Sequence, residues 1–393
     1  MKLSQNTTFN EYDKNMSILT FIKSIGDNSL NYYVNKIITK NELRGIIRKS
    51  GKTKNPVHLR EWYEKWKVLG RPNKDYYRVF SRYIGEDIDI VPDNISHNVI
   101  TPILNPKRYI STYADKNLFD KFVHRKDGQT LTPHTLLRCI RSIIFDTNYG
   151  HIEEADLTKI LSKESSIIVK PSIDVSSGKG VLFFDKQCNE WIERTTGEPL
   201  SIQQLFDRMG TDFIVQRTMI QSPFMAMLGK TSVNTIRMVV YRSVTDNRCH
   251  ALRAIVRIGK DGSLVDNAHA GGMFVGVDDN GRLGKYCCNQ FGETSNEFNG
   301  IDFKNSNLII PNYDTVKSFA EEVGSYILHL RLLALDIMLD QKNNPILIEY
   351  NVKAFAPWLF QFSSGTAFGS YTDEIIDYCK SHKDEATRLF ISF

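Results

Sequence analysis

The chain has 393 residues and a formal charge of +5, long enough for two or three domains and too weakly charged to demand a polyanionic partner. Its apolar and charged fractions are those of soluble globular proteins. Six scattered cysteines (Cys139, Cys188, Cys249, Cys287, Cys288, Cys379) form no CxxC pair and no zinc-spaced cluster, which points to reduced thiols in a cytosol rather than a disulfide framework.

The opening MKLSQNTTFNEYDKN lacks the apolar core of a signal peptide. No later segment approaches the roughly 20 apolar residues that span a bilayer. A cytoplasmic protein is expected, with peripheral contact at the inner face of a membrane left open. Residues 1 to about 100 read as a mostly helical region; in VHLREWYEKWKVLG, Leu59, Trp62, Tyr63 and Trp66 share one helical face. The same region is basic and aromatic, with Arg48, Lys49, Lys52, Lys54, Arg60, Lys65, Lys67, Arg71, Lys74 and Arg78 beside Trp62, Trp66, Tyr76 and Tyr77. Either the aromatics turn inward under a solvated basic face, or the stretch binds an anionic carrier such as a glycan or its lipid-linked form. No nucleic-acid motif accompanies the charge.

From about residue 165 the pattern becomes short β-branched runs between turns: SIIVK, GVLFF, DFIVQRTMI, TIRMVVYRS, HALRAIVRIG, LALDIML and PILIEYNV. Helices are predicted at SIQQLFDRM and YDTVKSFAEEVGSYILHLR. Strand runs interleaved with few helices give an α+β class with a large, mostly antiparallel sheet. The expected divisions are 1–100, 101–212 with a glycine-rich loop, and 213–393.

Between IIVK and VLFF lies PSIDVSSGKG. It is no Walker A loop, because Gly178-Lys179 is followed by Gly180 and Ile173 stands where the first glycine belongs; nor is it GxGxxG, because Phe183 occupies the last position. Ser176, Ser177, Gly178 and Gly180 could still turn several backbone N–H groups to one side as an anion nest, with Lys170 and Lys179 as point charges. A plain hairpin tip has the same composition.

The run LALDIMLDQKNNPILIEYNV reads as a hairpin turning at Asn343-Asn344. A two-residue turn puts Asp336 opposite Asn351, with Glu349 diagonal and on the same face, and Asp340 opposite Leu347 nearer the turn. Asp336, Glu349 and Asn351 would make a hard-oxygen site for Mg²⁺ completed by phosphates. The alternative is a solvent-facing edge, with Ile346, Ile348, Tyr350 and Val352 on the core side and Leu347 on the polar one.

Taken in order, VKPSIDVSSGKGV, FIVQRTMI, NTIRMVV, AIVRIG…VDNAHAGG and LDIML…ILIEYN resemble the core of the ATP-grasp superfamily. The stretch from IVPDNISHNVITPILNPKRYISTYADKNLFDKF to TPHTLLRCIRS is similar to the branch associated with sugar transfer and cell-surface polysaccharides. The resemblance covers roughly residues 90–370. It implies an ATP-grasp fold, two α+β subdomains clasping ATP, and a use of Mg²⁺, with two ions expected. Lys170 would hold phosphates under a lid formed by Ser176, Ser177, Gly178, Lys179 and Gly180. Residues 215–220 would present backbone groups to adenine, with Gln216 where many relatives carry an acid. Lys116 resembles an upstream nucleotide lysine, and Asn267 and His269 a loop facing nucleotide and acceptor. Arg237 and Arg257 would stabilise transferring phosphoryl oxygens as the catalytic pair, and Asp336, Glu349 and Asn351 match the metal ligands. Arg257 also reads as a surface cation, His269 as a packed imidazole and Lys116 as a helix-start lysine.

The activity implied is that of a carboxylate–amine ligase working through an acyl phosphate, joining an amine or amino acid to a sugar acid in polysaccharide assembly. A phosphotransferase acting on a hydroxyl, and a nucleotide-binding scaffold without turnover, are the alternatives.

Overall fold

The computed structural model describes residues 28–125, 129, 131–173, 180–188, 190–266, 268, 271–353 and 355–387. Two antiparallel sheets organise it. The first contains β1 (Thr135–Ile140), β2 (Ile143–Asp146), β3 (Ser166–Pro171), β4 (Leu182–Gln187), β5 (Glu190–Glu193) and β6 (Phe213–Arg217), ordered β2-β1-β6-β3-β4-β5. Helices Glu154–Leu161 and Ile202–Met209 cover one face, burying Leu157, Leu161 and Leu205 against Ile167, Val169, Phe184, Phe213 and Val215. Period-two alternation puts Lys170 and Gln216 on the opposite face. Strand β6, expected to open the third division, instead lies between β1 and β3, and the crossing to the second sheet falls at 218–234.

The second sheet contains β7 (Thr235–Arg242), β8 (Cys249–Ile258), β9 (Met273–Val277), β10 (Leu283–Cys288), β11 (Thr294–Ser295), β14 (Leu332–Leu339) and β15 (Pro345–Asn351). Its order is β11-β10-β9-β8-β7-β14-β15; β12 (Glu297–Phe298) and β13 (Ile301–Asp302) form a small separate ribbon. Both faces are covered. Helix Tyr313–Tyr326 packs Val316, Phe319, Ala320 and Val323 over Ile236, Met238 and Val240. Gly324 lets that helix approach closely, since a Cβ there would stand 2.8 Å from Val240. The other face meets the N-terminal helices Leu59–Trp66 and Lys74–Ile84, where Trp62, Trp66, Tyr77 and Phe80 join Tyr241, Phe274, Phe360 and Phe362 in one core. Double coverage explains why all eight residues of β14 are buried, the charged Asp336 among them.

The basic aromatic stretch takes the inward form. Trp62, Trp66, Tyr76 and Tyr77 are all buried, and the two indole N–H groups donate to the carbonyls of Ile90 and Ile88. Lys52 and Arg78 pair with Asp75, Lys67 with Glu64, and Lys65 with Asp89 and Asp373. No helix among the described residues is long and apolar enough to cross a membrane.

Candidate active site

The β14–β15 hairpin turns differently from a two-residue loop, and the pairing of its strands shifts accordingly. Asp340 accepts from the backbone N–H groups of Lys342 and Asn344 through its carboxylate, Asn343 adopts a left-handed φ of 63°, and Leu339 pairs with Pro345. Asp340 is thus a turn-former, and its expected pairing with Leu347 does not occur. The expected opposition of Asp336 and Asn351 is also corrected: a bulge at Ile348 brings Asp336 opposite Glu349 and Ala334 opposite Asn351. Because the register differs from the expected one by two at this point, Asp336, Glu349 and Asn351 still share a face. The bulge inverts the other expectation, since Leu347 pairs with Ile337 and lies in the core with Tyr350, while Ile346 and Ile348 are only half-buried.

Across the sheet, Glu349, Asp336 and Arg237 stand in one row on β15, β14 and β7, and Arg257 on β8 pairs with Thr235 beside them. Arg237 grips Asp336 with two nitrogens, Nε to Oδ1 at 2.8 Å and Nη2 to Oδ2 at 2.7 Å. Arg257 donates from Nη1 to the same carboxylate at 3.2 Å, and Asn351 adds its Nδ2 at 3.3 Å. Burial pushes the Asp336 carboxyl upward, but Arg237 and Arg257 pull harder and hold it below the usual carboxylate range. The Arg237 guanidinium, although burial opposes its charge, is held more firmly protonated by Asp336.

The structure adds a carboxylate that sequence reasoning missed. Asp266, in the loop after β8, lies 3.0 Å from Arg257 Nη2 through Oδ1 and accepts from the Thr235 hydroxyl through Oδ2 at 2.5 Å. Burial raises its pKa despite Arg257. The Asp beside Asn267 was visible in the sequence, but only folding of that loop onto β7 and β8 brings it to Arg257.

Facing this row is the first sheet's inner face. Lys116 opens a short 3-10 turn whose N-cap, Asp115, accepts from the Asn117 N–H, and its own N–H donates to the Ser172 carbonyl. Its ammonium reaches across to Glu349 Oε1 at 3.0 Å. Lys170, at the end of β3, is only 9% exposed and makes no hydrogen bond or ion pair with any described residue. Burial, reinforced by Lys116 and partly offset by Glu349, pushes its pKa down to about 8. Gly180 closes the glycine loop in the left-handed region (φ 74°), and a Cβ there would stand 3.2 Å from Pro171. Ser176, Ser177, Gly178 and Lys179 lie outside the described residues, as do Asn267 and His269.

Gln216 on β6 is 6% exposed and donates from Nε2 to the Pro133 carbonyl and to Thr135 Oγ1. A carbonyl can only accept, so the amide orientation is fixed and Oε1 is the free end. Neither Gln216 Oε1 nor Thr218 Oγ1 has a partner among the described residues. Thr218 lines a hollow of about 370 Å³ with Met219, Ile220, Asp340, Gln341, Lys342 and Asn344.

The family model of sugar-transfer associated ATP-grasp proteins matches residues 96–375. The chain belongs to that family. Its α+β architecture, two antiparallel sheets with an N-terminal helical region, is the ATP-grasp fold of the family. Among solved structures it is similar to the ATP-grasp ligase PsnB complexed with a phosphomimetic variant of minimal precursor, Mg and ADP, at 11% identity and a TM-score of 0.38, over 70% of this chain and 61% of that one. The D-alanine-D-alanine ligase from Coxiella burnetii matches at 11% identity and a TM-score of 0.38, over 70% and 60%. The D-cycloserine synthetase DcsG matches at 11% identity and a TM-score of 0.39, over 71% and 73%. The chain covers about six-tenths of the length of the first two. No curated protein sequence matches it.

The ATP-grasp family implies a divalent cation, and the donor set can be tested for one. Asn351 uses its Nδ2 on Ala334 O and Asp336, which leaves Oδ1 as an acceptor, and among the described residues Glu349 engages Oε1 alone, on Lys116. These two oxygens fit Mg²⁺, which needs few protein ligands when phosphates complete its shell. Asp336 is committed to arginines instead. Among the described residues no three His, Cys, Asp or Glu side chains converge on a metal position.

Proposed function

We propose that this ATP-grasp protein is an ATP-dependent carboxylate–amine ligase. The observation that carries the proposal is Lys170: a buried lysine with no partner among the described residues, set beside Lys116 on the first sheet's side of the gap with Glu349 near it. Leaving a charge buried and unpaired is costly unless an anion completes it, and a triphosphate is the anion that the family implies.

In this reading Lys170 and Lys116 hold the phosphates, and the expected role of the 176–180 loop would be to cover them. Mg²⁺, held by Glu349 and Asn351, would supply charge neutralisation on the phosphates. Arg237 has Nη1 to spare after gripping Asp336 and can meet the transferring phosphoryl group, while Asp336 and Asp266 fix Arg257 from two sides. A substrate carboxylate attacks the γ-phosphorus, the bond to the β-phosphate oxygen breaks, and ADP leaves. An amine then displaces phosphate from the acyl carbon to give an amide. A phosphotransferase would need an acidic base, and the extra carboxylate, Asp266, has both oxygens engaged. The family's association with sugar transfer supports a sugar acid, or an amine attached to a glycan, as one substrate. ADP release should require acid and amine together, and hydroxylamine should trap a hydroxamate in place of the amide. Release of a phosphorylated hydroxyl compound instead would overturn the ligase reading.

In this reading adenine lies against residues 215–220, and the unpartnered Oε1 of Gln216 would accept from its exocyclic amine. Inosine triphosphate offers a carbonyl at that position and would set acceptor against acceptor. Calorimetry should show ATP preferred by roughly tenfold or more, and Gln216→Met should remove the preference by weakening ATP alone. Equal binding of the two nucleotides by the unaltered protein would rule the contact out.

A further inference from the structure

We propose that Lys116 is an exchangeable counter-ion, one that holds Glu349 until nucleotide arrives and thereby keeps a bare divalent cation from the site. The inference rests on the ligase reading's assignment of phosphates to the lysines and of metal to Glu349 and Asn351, and it adds an order of binding.

Each of the three described carboxylates at the site is already matched to a cation. Glu349 takes Lys116 at 3.0 Å, Asp336 takes Arg237 and Arg257, and Asp266 takes Arg257 and the Thr235 hydroxyl. Among the described residues, the four cations Lys116, Lys170, Arg237 and Arg257 meet the three carboxylates Glu349, Asp336 and Asp266, an excess of one positive charge. A divalent cation entering alone meets net repulsion and must displace an ammonium from its best ligand. A triphosphate reverses that balance, drawing Lys116 onto its oxygens and releasing Glu349 together with a negative charge.

The geometry allows this exchange without moving the backbone. The Lys116 turn is clamped to the first sheet by Lys116 N–H to Ser172 O, by Asn117 Nδ2 to Cys139 O at 3.0 Å, and by the fully buried Arg138, which donates to the Asn117 carbonyl. Glu349 belongs to the second sheet, and its side chain is 33% exposed. The ion pair therefore bridges the two sheets through one flexible lysine stem, and only that stem has to swing.

The test measures Mn²⁺ binding to the full chain without nucleotide, from the paramagnetic resonance signal of free Mn²⁺. The unaltered protein should bind Mn²⁺ alone weakly. Lys116→Met, with Lys116→Gln as a second variant, should bind it roughly tenfold or more tightly, and adding Glu349→Gln should erase the gain. Thermal melts establish that each variant is folded. Unchanged Mn²⁺ affinity in both Lys116 variants, or a gain that survives Glu349→Gln, overturns the exchange while leaving the ligase reading standing. Failure of the unaltered protein to bind ATP with Mn²⁺ present would instead remove the ligase reading and the exchange together.

Discussion

Asp336→Ala should cost the fold about 3–5 kcal/mol, because it strips the shared counter-ion from two guanidinium groups inside a doubly covered sheet. Arg237 loses both of its hydrogen bonds and Arg257 loses one of its two carboxylates. Urea denaturation should show a lower midpoint at unchanged slope. Asp336→Asn, which keeps the shape but not the charge, should fall between. Glu349→Gln is the contrast: its partner lies across the gap and its side chain is a third exposed, so the melt should barely move. The acid side follows from linkage. The Asp336 carboxyl lies below its ordinary value in the fold, so its contribution is complete above about pH 4 and is lost as pH falls through the lowered value. Equal midpoints for Asp336→Ala and Glu349→Gln would show that the arginines need no carboxylate to stay buried.

Lys170→Met should act in opposite directions on binding and on stability. ATP affinity should fall roughly 10²–10³-fold, the scale for truncating one side of a buried charged contact. The fold should become more stable at pH 7, because keeping this ammonium charged against a pKa lowered from 10.5 to about 8 costs about 3 kcal/mol. The pH dependence has a definite sign. Below pH 8 the ammonium is present and ATP affinity is level. As pH rises through about 8 the free protein loses that proton, and binding must recover it, so affinity falls; in Lys170→Met this dependence disappears. ATP binding that survives the substitution would detach Lys170 from the nucleotide.

Much of the hairpin and the loop strands was legible because β3, β14 and β15 carry runs that match their period, and because a face assignment survives a shift of two residues. The turn was not legible. Asp340 reads only as a residue opposite Leu347 until its side chain is seen closing the loop on Lys342 and Asn344. The bulge at Ile348 has no glycine to announce it, and it alone moves Leu347 from the polar face to the core. Strand β1 escaped for another reason: TLLRCI is buried on both sides and carries Arg138, a fully buried cation over the Tyr149 ring, so it shows neither alternation nor a clean apolar run. Asp266 needed tertiary structure, since nothing in its spacing ties it to Arg257. In the basic N-terminal stretch the aromatics proved to be core, as their helical spacing allows, and Lys49, Lys52, Lys65, Lys67 and Arg78 beside them found carboxylates.

Gln361 bonds the backbone of Val91 in both directions, accepting from its N–H at 2.6 Å and donating to its carbonyl at 3.1 Å, as an adjacent strand would. Asn105 does the same work further on, donating to the carbonyls of Leu332 and Val352. Gln361, on the helix Pro357–Gln361, thus ties the segment ahead of the first matched residue to the matched region, and Asn105, inside that region, ties its own segment to the sheet that carries Asp336 and Glu349, beside a core that holds Trp62, Phe80, Tyr241 and Phe362 together. The cooperative folding unit is therefore larger than the stretch the family model matches: the helices ahead of residue 96 are internal walls of the sheet rather than an appendage to it.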